Sequence, residues 1–240
     1  SFVHGLKGGV NYICFSKSGK LIVGTSGELS VWGPNMCRSC IVRSGIGNDA
    51  YSMCPIGDKI AVGCIFGSIQ IWDVDSMEMI MEMSTDAGGS ICSLCVDSHG
   101  MLVSGDSLGA VKVWNPATGQ LIRVMPERHN EAVNSLALDQ NGLVVSGSYD
   151  GSIKVWDTLN GVCKATLNGL NIRIFCICSL IGGGVVTGHE DGKIMRWTLS
   201  ATSSCAATGG GGDGSVSYEC SKILEGHASR VRSLCQLPDG

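Results

Sequence analysis

Five tryptophans partition this chain. They stand at Trp32, Trp72, Trp114, Trp156 and Trp197, separated by 40, 42, 42 and 41 residues. Five tryptophans scattered at random would not be phased in this way. A period near 40 residues marks a repeat architecture, in which each unit is one supersecondary motif that must stack on its neighbours to bury its apolar faces.

The residues leading to each tryptophan repeat as well. One block reads Val145-Ser-Gly-Ser-Tyr-Asp-Gly-Ser-Ile-Lys-Val-Trp156, and its relatives end at Trp72, Trp114 and Trp197, with a copy one residue shorter ending at Trp32. Each block is a β-rich run, a Gly/Ser/Asp turn and a second β-rich run, which predicts a hairpin. A further strand precedes each hairpin, as in Ile91-Cys-Ser-Leu-Cys95 and Val133-Asn-Ser-Leu-Ala137, and another follows the tryptophan, clearest at Val162-Cys-Lys-Ala-Thr-Leu167. Four short strands make an antiparallel sheet that cannot cover both of its faces alone. Stacking such sheets in a ring covers them.

These motifs resemble the WD40-repeat family, over essentially the whole chain. Trp-Asp occurs at Trp72-Asp73 and Trp156-Asp157, and Gly-His at Gly226-His227. The resemblance implies an all-β, WD40-type β-propeller. Residues 1–240 would form five full four-stranded blades and, at Arg230–Leu237, the start of a sixth, as a fragment of a seven-bladed ring. Such an open ring would be marginal and prone to aggregate. A Gly/Ser-rich insert at 200–216 lacks the composition to build a core and is expected to be a disordered loop. The family's hydrogen-bonded tetrad maps onto His129, Ser146, Asp150 and Trp156 in the fourth unit. The fifth unit keeps Thr187, Asp191 and Trp197 but has Leu170 in the histidine slot. The third has Ser104 and Trp114, with Leu108 and Ala87 in the other two slots, and the second has Phe66 for the aspartate. Units lacking tetrad members are expected to rely more on apolar packing, and units 1 to 3 to be less rigidly specified.

Composition narrows the function. With 17 Lys+Arg against 21 Asp+Glu, the net charge is −4, and no nucleic-acid footprint is expected. The longest uncharged apolar stretch, Ile174–Gly188, is 15 residues and holds three consecutive glycines, too short for a membrane span. A Gly-x-Gly-x-x-Gly pattern inside the insert has no strand before it and no helix after it, so no dinucleotide site is read there. The 13 cysteines include Cys37-Arg-Ser-Cys40 and Cys92-Ser-Leu-Cys95, which look like halves of a zinc site. Aligned first strands instead place Cys14, Cys54, Cys95, Ala137, Cys178 and Cys235 in one column, where free cysteine serves as a small buried hydrophobe. Residues i and i+3 of a strand face opposite ways, which argues against chelation by Cys92 and Cys95. Cys37, Cys40 and Cys205, near turns or in the insert, are the more reactive thiols. No metal, cofactor or small-molecule substrate is expected. His129, Ser146 and Asp150 would also spell a catalytic triad, but the tetrad accounts for them, and the chain reads as non-enzymatic. His227 falls in the same tetrad slot, whereas His189 is placed in an exposed turn. The run Met77-Glu-Met-Ile-Met-Glu-Met83 reads as an outer strand with its methionines on one face.

Function then rests on surface. Peptides often bind the top face of WD40 propellers, and by position that face would include Tyr51, Ile65, Tyr149, Arg173, Phe175, Glu190, Arg230 and Arg232. Three arginines on neighbouring units of an acidic chain suit an acidic or phosphorylated peptide. The expected role is a scaffold that binds protein or peptide partners and nucleates a multiprotein complex. The alternatives are substrate recognition for a ubiquitin ligase and the targeting domain of a larger kinase or phosphatase. Cysteine-rich strands without a secretory signal favour a reducing, intracellular setting, cytoplasmic or nuclear.

Overall fold

The computed structural model describes residues 9–25, 28–33, 38–42, 50–84, 88–167, 171–200 and 217–236. Their regular structure is all β. Blade 1 is β1 (Val10–Phe15), β2 (Leu21–Thr25), β3 (Glu28–Trp32) and β4 (Arg38–Val42). Blade 2 is β5 (Ala50–Ile56), β6 (Lys59–Cys64), β7 (Ser68–Asp73) and β8 (Met79–Ser84). Blade 3 is β9 (Ile91–Val96), β10 (Leu102–Asp106), β11 (Val111–Trp114) and β12 (Leu121–Val124). Blade 4 is β13 (Val133–Leu138), β14 (Val144–Ser148), β15 (Ile153–Asp157) and β16 (Val162–Leu167). Blade 5 is β17 (Ile174–Ser179), β18 (Val185–His189), β19 (Ile194–Ser200) and β20 (Ser217–Leu224). Every sheet is an antiparallel meander in chain order, with the tryptophan on its third strand.

The core lies between sheets. Ile22, Leu29 and Val31 of blade 1 meet Ile60, Val62 and Trp72 of blade 2. Ala61, Ile69 and Ile71, on the other face of blade 2, meet Ile91, Leu102 and Trp114 of blade 3. The same sandwich recurs between blades 3 and 4 and between blades 4 and 5. Adjacent residues of one strand thus serve opposite interfaces. This is why second and third strands read as unbroken apolar runs rather than as alternating ones.

The first strands stand side by side at the middle of the propeller. A repeated bond stitches them: a first-strand side chain donates to the carbonyl of the residue that opens the next blade. Asn11 Nδ2 donates to Ala50 O (3.1 Å), Ser52 Oγ to Ile91 O (2.8 Å), Ser93 Oγ to Val133 O (2.9 Å), Asn134 Nδ2 to Ile174 O (3.2 Å) and Cys176 Sγ to Val231 O (3.4 Å). The accepting residue also fixes a glycine. A Cβ on Gly105 would lie 2.5 Å from Val133 Cγ1, and one on Gly147 would lie 2.7 Å from Ile174 Cγ2. The glycine ending the second strand's apolar run is therefore a packing requirement at this close approach.

Bonds at the other end of the blades also cross between neighbours. Asp97, after β9, accepts from Thr158 Oγ1 of blade 4 (2.7 Å), and Asp139, after β13, accepts from the Tyr218 hydroxyl of blade 5 (2.8 Å). The Lys20 ammonium of blade 1 meets Asp75 of blade 2 at the surface.

Several expectations need correction. Residues 225–236 carry no strand, although Val231 N donates to His189 O at 3.0 Å. His227 is exposed. The insert begins one residue later than expected, since Ser200 still pairs with Ser217; residues 201–216 lie outside the described residues, as do Cys37, Ala87, Leu170 and Cys205. Met77 is not part of the outer strand: it occupies a turn with φ 56° and packs into the core between blades 1 and 2. Met83 is buried and Met79 is exposed. In the cysteine column, Cys54 and Cys95 are buried, Cys14 and Cys178 half-buried and Cys235 exposed. Burial pushes the Cys14 and Cys54 thiols up to about 12. Among the described residues, no helix is long and apolar enough to cross a membrane.

Candidate functional site

Blade 4 holds a buried polar chain that runs in one direction. Trp156 Nε1–H donates to Ser146 Oγ (2.8 Å), which lies 2.7 Å from His129 Nε2. His129 Nδ1 is 2.7 Å from Ser152 Oγ, and Ser152 Oγ donates to Asp150 Oδ1 (2.6 Å). This order assigns the tautomer: Nδ1 carries the proton and donates to Ser152, while Nε2 accepts from the Ser146 hydroxyl. The expected direct contact between His129 and Asp150 is a longer 3.5 Å approach, and Ser152, absent from the expected tetrad, is the bridge. Burial holds His129 neutral, lowering its pKa to about 4 against the pull of Asp150. Burial alone would raise Asp150, but bonds from Ser152 and from the Asn130 amide outweigh it and hold the carboxyl below its usual value. Ser146 is 0% exposed. A substrate carbonyl has no route to its oxygen, so these residues form a structural network and not a nucleophile with its base.

Blade 5 builds its network differently from expectation. His189 is not in an exposed turn: it ends β18 and is 0% exposed. Two residues apart on one strand, Thr187 and His189 share a face, and Nε2 lies 2.7 Å from Thr187 Oγ1, which also accepts from Trp197 Nε1 (2.8 Å). Strand alternation was the signal that could have placed it. In blade 3 the expected tetrad gave no carboxylate, yet Asp106 Oδ2 meets Lys112 Nζ at 2.8 Å, both buried, while Oδ1 accepts the turn amides of Leu108 and Ala110.

The predicted top-face residues divide into two groups. Tyr51, Tyr149, Phe175, Arg230 and Arg232 line one cavity of about 510 Å³ at the mouth of the central channel, together with Asn11, Cys92, Asn134 and Ser233. The first strands deliver most of these, and the turn after β14 delivers Tyr149. Its floor is aromatic: the Tyr149 and Phe175 ring centroids are 5.0 Å apart, tilted by 57°. The Arg173 guanidinium lies 5.4 Å over Tyr149 and that of Arg230 lies 5.3 Å over Phe175, within the range of cation–π attraction. Arg173 makes long contacts to Glu131 (3.9 Å) and Glu190 (3.8 Å). Arg230 and Arg232 pair with no carboxylate among the described residues. Ile65, Arg173 and Glu190 are not part of the cavity lining: the Ile65 carbonyl accepts from Ser90 Oγ (2.5 Å), and Glu190 faces Arg173.

Comparison with known proteins agrees with this architecture. Residues 119–157, from the turn before β12 to the end of β15, match the family model "WD domain, G-beta repeat". A chain in a crystal structure of a mitotic checkpoint complex superposes with a TM-score of 0.80 at 18% identity, covering 96% of this chain and 69% of that one. No curated protein matches by sequence. With one WD40 repeat matched at residues 119–157, phased tryptophans and five four-stranded blades, the chain has the WD40-type β-propeller fold.

Proposed function

We propose that this chain is a non-catalytic interaction scaffold that seats an acidic or phosphorylated peptide of a protein partner at the mouth of its central channel. One observation carries the reading: Arg230 and Arg232 line an aromatic-floored cavity and have no carboxylate partner among the described residues. Stacking on Phe175 orients Arg230 without neutralising it, so its donors remain for an anion. Guanidinium groups bind phosphate and carboxylate bidentately. Two of them side by side suit the dianion of a phosphate monoester better than a single carboxylate.

The similar chain belongs to a mitotic checkpoint complex, a multiprotein assembly, which fits a scaffold role for this one. The buried Ser146 network leaves no open nucleophile in blade 4, which supports a non-enzymatic reading. Thiols in the inner strands fit work inside the cell, in cytoplasm or nucleus.

The test is fluorescence anisotropy with a labelled dodecapeptide carrying one phosphoserine among glycine and serine. The wild-type chain is expected to bind it, more weakly as salt is raised. The double variant Arg230→Glu/Arg232→Glu should lose at least about tenfold in affinity, an energy of about 1.4 kcal/mol. Equal binding by both proteins would sink the proposal.

A further inference from the structure

The top of the propeller is chemically lopsided. In blades 4 and 5 the residue after Tyr149 and after Glu190 is an aspartate, and each aspartate bonds its own turn: Asp150 accepts the Ser152 amide and Asp191 the Lys193 amide. The equivalent residues of blades 2 and 3 are Phe66, 69% exposed, and Leu108, 50% exposed. Neither is needed by its turn. In blade 3, Asp106 has taken over the turn amides, which frees position 108, and in blade 2 the turn closes through its backbone, Gly67 N to Cys64 O.

The two exposed side chains flank one short segment. A Cβ on Gly67 would meet Gly89 O at 2.9 Å, and a Cβ on Gly89 would meet Leu108 Cγ at 2.9 Å. Ser90 ties both turns together, donating its hydroxyl to Ile65 O and accepting the Ser107 amide on its carbonyl. Register places the patch at the same end of blade 2 as the cavity. Tyr51, which lines the cavity, follows Ala50, and Ala50 pairs with Cys64, two residues before Phe66. The opposite sector, over blades 4 and 5, is polar: Glu131 and Glu190 share Arg173, Asp150 is bonded within its turn, and Asp191 meets Lys193 at 2.9 Å.

We infer that the partner is recognised at two points: an acidic or phosphorylated residue in the cavity, and a bulky apolar residue a few positions along the same peptide, seated against Phe66 and Leu108. This rests on the anion-binding reading above and adds the partner's second feature and its direction. Apolar surface sets the direction. A peptide leaving the cavity over blades 4 and 5 meets carboxylates already engaged by Arg173, Lys193 and the Asp150 turn, whereas among the described residues the path over blades 2 and 3 finds the exposed side chains of Phe66 and Leu108. Burial of an apolar residue is available along one path only, and that defines an orientation.

The experiment extends the phosphoserine dodecapeptide series. One leucine is placed two to six residues from the phosphoserine, on either side, and each peptide is titrated by anisotropy into wild type, Phe66→Asp/Leu108→Asp and Arg230→Glu/Arg232→Glu. Aspartate is the residue that blades 4 and 5 carry at these turns, and both positions are exposed, so the apolar-site variant should fold; near-ultraviolet circular dichroism from the five tryptophans checks that. A leucine on one side, at one or two spacings, should improve binding about tenfold. That gain should vanish in Phe66→Asp/Leu108→Asp, while the leucine-free peptide binds that variant as it binds wild type. No gain at any spacing, or a gain that survives the double aspartate variant, overturns the inference and leaves the arginine site standing. Leucine-free binding indifferent to Arg230→Glu/Arg232→Glu overturns both.

Discussion

Blades 1 and 2 and blades 3 to 5 answer the same demand in two ways. Every blade buries an indole, and a buried indole N–H needs an acceptor. In blades 3, 4 and 5 the acceptor is a hydroxyl on the second strand: Ser104 at 2.9 Å, Ser146 at 2.8 Å and Thr187 at 2.8 Å. In blades 1 and 2 that place is taken by Val23 and Val62, and the acceptor comes from the tryptophan's own strand, Ser30 Oγ at 3.1 Å and Gln70 Oε1 at 3.2 Å. The two positions are partners across one rung of the ladder: Val23 pairs with Ser30, Val62 with Gln70 and Ser146 with Lys154. The polar atom has moved across the rung while the bond to the indole is kept. The physical constraint is on the pair and not on either residue. Blades that lack tetrad members, expected to rely more on apolar packing, still give the buried indole an acceptor.

The same two regions differ at the blade joints. Blades 3 and 4, and blades 4 and 5, are tied by the buried carboxylates of Asp97 and Asp139. Blades 1 and 2 are tied at the equivalent turn by an ion pair whose Asp75 side chain is 74% exposed. Bonds made out of water contribute more than exposed ion pairs, which are screened and contribute about 0–1 kcal/mol.

The contrast can be broken experimentally. The largest effect is expected from acid. His129 has an ordinary pKa of 6.5 in the unfolded chain and about 4 when buried. Between those values the unfolded state takes up a proton that the folded state refuses, so stability present above pH 6.5 is lost as pH falls towards 4, by about 3 kcal/mol in all. Urea melts across that range should steepen this loss for wild type and flatten it in His129→Gln; identical pH profiles would refute the neutral buried imidazole. Next, Ser146→Ala should cost about 2 kcal/mol, because Trp156 and His129 both lose a buried partner, while Ser30→Ala should cost about 1 kcal/mol. Equal losses in urea denaturation would remove the distinction between the regions. A double-mutant cycle sharpens it further: Gln70→Leu destabilises, and Val62→Ser should be less unfavourable in that background than in wild type, with a coupling of about 1 kcal/mol as the hydroxyl takes over the Trp72 indole. A coupling of zero would show that the rung is not interchangeable. Smallest of all, Lys20→Ala should change stability by under about 0.5 kcal/mol, and less still in high salt.

What could be read before folding was the part governed by period. The phased tryptophans, the Val-x-Gly runs and the turn glycines gave twenty strands their order, since a strand buried on both faces leaves a continuous apolar run in the sequence. The first-strand positions opening into the channel were also legible, and Tyr51, Tyr149, Phe175, Arg230 and Arg232 do meet at one cavity. Ile65 and Glu190 share the same register but not the cavity, because register fixes which end of a blade a residue occupies and not how far it stands from the axis. His189 was misplaced for a related reason: a residue at the end of a strand reads as part of the turn until its alternation with Thr187 is weighed.

Partnerships between blades were beyond the sequence. Thr158 lies 61 positions from Asp97, and Tyr218 lies 79 positions from Asp139, and no local pattern links such pairs. Nor does one show Ser152 bridging His129 to Asp150, or Arg230 lying over Phe175. The sequence by itself determined the repeat, the strands and the faces they bury, because periodicity and apolar burial act within a unit and leave their mark in every copy. Only the tertiary structure decided which polar groups meet across blades and which arginines have no carboxylate among the described residues, because those outcomes depend on distances set by stacking the units around a common axis.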